Sequence, residues 1–146
     1  MFDDAGTVSQ LVESHRALVD QLSALEQLAH HLGGRPGTAA FASLEESVAY
    51  LQARLEEHMA REESDVYPNL VGTLGSLEVE SMLQDHHEIR RWLDKLVRAR
   101  LRFDRGELDL EPVRWNLYVV IGQVGLHLRK EELAYLRLAR QEVGTT

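Results

Sequence analysis

Two stretches of this chain carry a histidine followed at the same spacing by paired glutamates: HMAREE at residues 58–63 and HLRKEE at residues 127–132. On a helix, residues i and i+4 face the same way. Each H-x-x-x-E can therefore present an imidazole and a carboxylate to one point. Two further histidines, His15 and His86, precede these motifs by 43 and 41 residues, so the pattern H…H-x-x-x-E occurs twice. The offset between the copies is 71 residues for His15 to His86 and 69 for His58 to His127. Four imidazoles and two carboxylates (Glu62 and Glu131) supply enough donors for two metal ions. This donor set suits Fe, Zn, Mn or Ni, and the absence of sulfur disfavours copper(I).

Such a site needs elements that hold all six groups inward. Gly and Pro cluster at GGRPG (33–37), PNLVGTLGS (68–76) and FDRGELDLEP (103–112), which predicts breaks there. Between the breaks lie four long segments rich in Leu, Ala, Glu, Arg and Gln, without strand alternation. Thr7 with Gln10 and Ser43 with Glu46 fit the capping-box spacing, and Ser76 and Asp109 are N-cap candidates. Apolar residues recur at helical spacing in each segment. The four series are Val8, Leu11, Leu18, Leu22, Leu25; Phe41, Leu44, Val48, Leu51, Leu55; Val79, Leu83, Ile89, Leu93, Leu96; and Val113, Leu117, Val120, Val124. Long helices with short connections predict an all-α fold, an antiparallel up-down four-helix bundle in one domain over residues 1–146.

Placed on those stripes, His15, His58, His86 and His127 each enter the predicted core, and Glu62 and Glu131 follow one turn after the second and fourth. A lone core histidine is commonly a satisfied structural group, and a lone H-x-x-x-E is commonly a solvated surface pair. Six inward groups in a twofold repeat are different. Each buried carboxylate without a partner costs several kcal/mol. No Lys or Arg shares the stripes apart from Arg90, so a metal is the simplest partner. His30 and His31, before Gly33, read as a helix C-terminal cap.

Composition narrows the field. The chain has 146 residues, 44% hydrophobic and 27% charged, with a net charge of −8. That balance disfavours nucleic acid and anionic membrane surfaces as partners. With no cysteine, disulfide and thiolate chemistry are excluded. The N-terminal residues lack an apolar signal region, and no run of 18 apolar residues exists, so a soluble cytoplasmic protein is expected.

These residues resemble the hemerythrin-like, HHE cation-binding class over nearly the whole chain. The resemblance rests on the repeated H…H-x-x-x-E, on EE-x-x-x-Y-P (Glu62, Glu63, Tyr67, Pro68) and on DHHEIR at 85–90. The last segment selects His86 over His87, which helix phase turns about 100° off the seam. The resemblance implies a cofactor of two Fe ions with an oxo or hydroxo group between them. His15 and His58 would bind one iron, His86 and His127 the other, and Glu62 and Glu131 would bridge. An open position would receive dioxygen, peroxide or nitric oxide.

Two departures matter. Respiratory hemerythrins carry a fifth histidine where this chain has Arg90, and their second bridging carboxylate follows as H-x-x-x-x-D. One imidazole fewer argues against reversible oxygen carriage and for peroxide decomposition in oxidative or nitrosative stress, a catalase- or peroxidase-like activity. The alternatives are an oxygen or iron sensor or store without turnover, and a Zn-bound or metal-free interaction bundle. Tyr50, His87, Arg90 and Tyr135 are candidates to touch the site from outside the ligand set; Glu63 and Glu132 read mainly as surface residues. The sequence sets no oligomeric state.

Overall fold

A computed structural model describes residues 4–34 and 37–144, with the side chains of residues 10, 12–34 and 37–135. The Thr7 cap, Val8 and Leu11 lie outside the described side chains. The described residues are almost entirely helical: α1 (Asp4–Leu32), α2 (Thr38–Arg61), a π-helical turn (Glu62–Val66), α3 (Tyr67–Leu74), α4 (Ser76–Asp104) and α5 (Leu110–Gly144). The π turn and α3 continue α2, so the chain forms four long rods. α1 packs on α2 and α5, and α4 packs on α5 and α2. No helix among the described residues is long and apolar enough to cross a membrane.

The described members of the predicted stripes are buried, apart from Phe41, which is half-buried, and Leu83. Leu83 is exposed, and Met82 takes the inward place in α4, giving the series Met82, His86, Ile89, Leu93, Leu96. Two boundaries also move. α2 starts at Thr38 after an extended Gly37, five residues before the expected cap at Ser43. Phe41 packs against Phe103 with ring centroids 5.4 Å apart, which draws this segment into the helix. Ser76 is the first residue of α4 and makes no cap hydrogen bond; Gly75 precedes it at φ +91°. That is a backbone conformation that glycine adopts at low cost.

The expected break at 68–76 shrinks to Gly75 because the chain accommodates Pro68 differently. Proline lacks an N–H and its ring clashes with the carbonyl four residues back. The helix widens instead of stopping: the Tyr67 N–H bonds the Glu62 carbonyl, five residues back. In an unbroken α-helix Tyr67 would lie about 140° from Glu62. In the wider turn both are buried, Glu62 at 0% and Tyr67 at 1% exposure.

The core is in two parts. The larger cluster fills the bundle from the α1–α2 loop inward and includes Leu25, Leu51, Leu55, Ile89, Leu96, Leu117 and Val124. The smaller holds Val66, Tyr67, Leu70, Val79, Met82, Ala134 and Tyr135. Along each of three rods the polar residue falls between them. Glu62 lies between Met59 and Val66, His86 between Met82 and Ile89, and Glu131 between Leu128 and Ala134. The site is thus closed above and below by apolar side chains that exclude water and lower the local dielectric.

Candidate metal centre

All six predicted residues are brought together and buried: His15 from α1, His58 from α2, Glu62 from the π turn, His86 from α4, and His127 and Glu131 from α5. Their donor atoms form two groups of four, each within 4.8 Å: His15, His58, Glu62, Glu131 and Glu62, His86, His127, Glu131. Both glutamates belong to both groups. His58 Nε2 lies 3.1 Å and His86 Nε2 3.3 Å from Glu62 Oε1. His15 Nε2 lies 3.5 Å from Glu131 Oε2, and His127 Nε2 contacts Glu131 Oε1.

Three of the imidazoles are hydrogen-bonded on their other side, and the fourth, His86, has a carboxylate beside it without a hydrogen bond. His127 Nδ1 lies 2.9 Å from Asp85 Oδ2, which also accepts from Lys130 Nζ at 2.7 Å. His58 Nδ1 is 3.0 Å from Ser14 Oγ. His86 Nδ1 is 3.6 Å from Glu63 Oε1. His15 hydrogen-bonds the Leu128 backbone. A carboxylate can only accept, so Asp85 fixes the proton of neutral His127 on Nδ1, and Glu63 favours the same tautomer in His86. Both Nε2 lone pairs then face the centre, yet they stand 3.0 Å apart. Two acceptors at that distance repel unless a cation lies among them. His15 Nε2, His58 Nε2, Glu62 Oε1 and Glu131 Oε1 are likewise buried without hydrogen-bond partners. Native interiors rarely leave such groups unsatisfied. The donor set fits a metal ion in each group.

The electrostatics agree. Burial, with the neighbouring His58, lowers the His15 pKa to about 4 against the pull of Glu62. Burial likewise brings His127 to about 4 despite Asp85. Both imidazoles are neutral at pH 7, as a ligand must be. Burial works to raise Glu62, but the adjacent His58 and His86 side chains and the hydrogen bond from Tyr135 outweigh it and hold the carboxyl at about 2.

Two phenols flank the carboxylates. The Tyr135 hydroxyl lies 2.6 Å from both Glu62 Oε2 and Glu131 Oε2, so one donor serves the two shared glutamates. Tyr67 Oη is 3.1 Å from His86 Nε2. Burial and the charge of Glu62 push both phenols above the ordinary tyrosine value.

The remaining candidates stand apart from the centre. Arg90 makes a bidentate pair with Glu63 at 2.7 and 2.8 Å, and its Nε reaches Glu56 at 3.2 Å. It therefore neither points at the centre nor turns to open solvent; it anchors the carboxylate beside His86. The Arg90 hydrogen bond keeps the Glu63 carboxyl below its usual range against partial burial. Tyr50 is 48% exposed and its hydroxyl accepts from Arg54 Nε at 3.1 Å. Eight residues before His58, it is turned about 80° away from the inward face. His87 is exposed, as its phase requires. His30 meets the Tyr118 hydroxyl at 3.0 Å and joins no metal-capable group. Sequence reasoning did not single out Ser14, Tyr67 or Asp85 as parts of the site. Asp85, next to His86 and one turn from Met82, carried a weak signal.

Two openings lead toward the centre. A groove of about 510 Å³ between α1 and α5 reaches His15 and Tyr135 past Val19, Leu22, Ile121 and Gly125. A smaller one of about 230 Å³ between α1 and α2 reaches His58. Neither is lined by His86 or His127.

Fold and site together define an all-helical protein with a buried histidine–glutamate centre able to hold metal ions. The chain belongs to the hemerythrin HHE cation-binding domain family, whose model matches residues 6–139. Neither a curated protein nor a solved structure matches it significantly.

Proposed function

We propose that this chain is a non-heme di-iron protein that binds and processes peroxide, dioxygen or nitric oxide in the cytoplasm, with peroxide decomposition the first activity to test. The observation that supports this reading is the pair of four-donor groups sharing Glu62 and Glu131. In it, His15 and His58 would hold one iron, His86 and His127 the other, and Glu62 and Glu131 would be shared by both. The frame is a single antiparallel, up-down bundle. Two irons so held supply redox chemistry toward small oxygen or nitrogen ligands.

The chain's own residues divide the work. The two apolar clusters keep bulk water away. The α1–α5 groove, wide and largely apolar, admits a small uncharged ligand beside His15. Tyr135 sets the orientation of both shared carboxylates and offers its proton at Oη. Asp85 and Glu63, each tied to a cation, orient His127 and His86, while Ser14 and the Leu128 carbonyl, both neutral, orient His58 and His15. Outer partners of this kind tune ligand basicity.

The test is elemental analysis of protein from iron-replete cells, followed by peroxide consumption. About two irons per chain and rapid peroxide loss are expected. Zinc or no metal, even after anaerobic reconstitution with ferrous iron, overturns the reading. A stable oxygen adduct without turnover replaces the enzyme by a sensor or store. If His58→Ala and Glu62→Ala leave metal content unchanged, the ligand assignment fails.

A further inference from the structure

We infer that the groove between α1 and α2 above His58 is a binding site for a small oxyanion, of the size of phosphate, that acts on the metal centre through Ser14. α2 places Arg54, Glu57, His58 and Arg61 along this groove at helical spacing, and α1 adds Ser14 and Gln21. Its volume of about 230 Å³ admits a phosphate and excludes a nucleotide.

The charges in the groove lack partners. Arg90, Arg91, Arg98, Arg100, Arg102 and Arg114 each meet a carboxylate within 4.0 Å. Among the described residues, Arg54 and Arg61 meet none, as is true of Arg16, Arg105 and Arg129, but only Arg54 and Arg61 share a groove with Ser14. Arg54 instead donates its Nε to the Tyr50 hydroxyl and sits 5.3 Å from that ring's centroid. This fixes the guanidinium and leaves its terminal nitrogens for another acceptor. Glu57 lines the same groove outside ion-pair range of both arginines, leaving a net positive charge. Two guanidiniums and the Ser14 hydroxyl lining one groove supply the kind of donors that an oxyanion accepts from.

Ser14 links this groove to the centre. With the His58 Nε2 lone pair facing inward, its Nδ1 carries the proton and donates to Ser14 Oγ. The Ser14 hydroxyl then has its own proton left to donate, and it lines the groove. An oxyanion accepting that proton polarises Ser14, which strengthens the bond from His58 and makes the imidazole a stronger electron donor. Arg54, Arg61 and Ser14 would thus bind an effector.

The test is calorimetric titration of the metal-loaded protein with inorganic phosphate at constant ionic strength, with chloride as the control. One saturable site per chain is expected. The double variant Arg54→Gln/Arg61→Gln should bind at least about tenfold more weakly, since each lost charge-assisted hydrogen bond costs about that much. Both arginines are exposed, so the variant should keep its fold, which circular dichroism checks. Ser14→Ala should retain most of the binding and lose the phosphate-induced change in the metal absorption bands. Phosphate binding of equal strength in the double variant overturns the assignment, as does equal displacement by chloride. The calorimetry reads the groove whichever metal is bound, so the site can fail while the di-iron reading stands, and the reverse.

Discussion

Replacing Asp85 by Asn isolates the contribution of a charge just outside the ligand set. Asp85 Oδ2 accepts from His127 Nδ1 at 2.9 Å and from Lys130 Nζ at 2.7 Å. Burial raises its carboxyl pKa, and those two hydrogen bonds more than compensate, so it lies below the ordinary value and is ionised at neutral pH. Asn preserves the shape and one acceptor, but removes the charge that favours electron donation by the imidazole. Loss of such a partner costs about 10–100-fold in metal affinity. The Asp85 side chain is 27% exposed, and solvent screening places the effect near the lower end. The expected loss is therefore about tenfold, or about 1.4 kcal/mol. Competition with a chelator at pH 7.5 should resolve one metal of wild-type affinity and one weakened metal. Ser14→Ala, which removes a neutral partner of His58, should weaken the other position less. Equal weakening of both metals, or none in Asp85→Asn, would refute the argument that each imidazole is tuned by its own outer partner.

Tyr135→Phe keeps the packing and removes the donor shared by Glu62 and Glu131; it should cost about 2 kcal/mol. For a chain of this size that lowers Tm by roughly 4–8 °C; an unchanged melting curve would show that the phenol bonds are incidental. His15 and His127 titrate at about 4 in the folded chain against 6.5. The unfolded chain therefore takes up their protons first, so stability is complete above pH 6.5 and falls toward pH 4, by about 3 kcal/mol per histidine at most. Tm measured from pH 8 to 5 should decline steadily, and bound metal, which competes with the same protons, should be released over the same range; a flat profile contradicts this. Gly75→Ala forces a side chain into φ +91° and should cost about 1–3 kcal/mol in urea unfolding. Gly37→Ala, at φ −85° with open space around it, should be near neutral, and equal effects would show that φ is not the cause.

The clustering of the six residues was legible because helical phase alone carries it: each falls on a stripe whose apolar members are independently recognisable. What surrounds the ligands was less so, because those contacts run between helices. Nothing in the spacing of Asp85 and His127, or of Ser14 and His58, announces that they meet. Glu63 was read mainly as a surface residue until Arg90 and His86 were seen on either side of it. Tyr50 was expected near the site, but eight residues before His58 leave it about 80° off the inward face. Leu83 and Met82 are adjacent apolar residues, and only the position of His86 in the packed bundle chooses between them. Pro68 signalled a break correctly in kind but not in form. Proline forbids a regular α-helical turn there, and the chain satisfied that constraint by widening the turn, which also brought Tyr67 inward.

The distribution of donors across Gly75 bears on how such a molecule can be assembled. Residues up to Leu74 carry His15, His58 and Glu62, and residues from Ser76 carry His86, His127 and Glu131. Each half therefore holds three donors of one group and lends its glutamate to the other. A chain severed at Gly75 would yield two helical fragments, neither with a complete set, and metal would favour their reunion while adding less to either alone. Because each fragment carries the same H…H-x-x-x-E pattern, either could also find its missing carboxylate in a twin of itself.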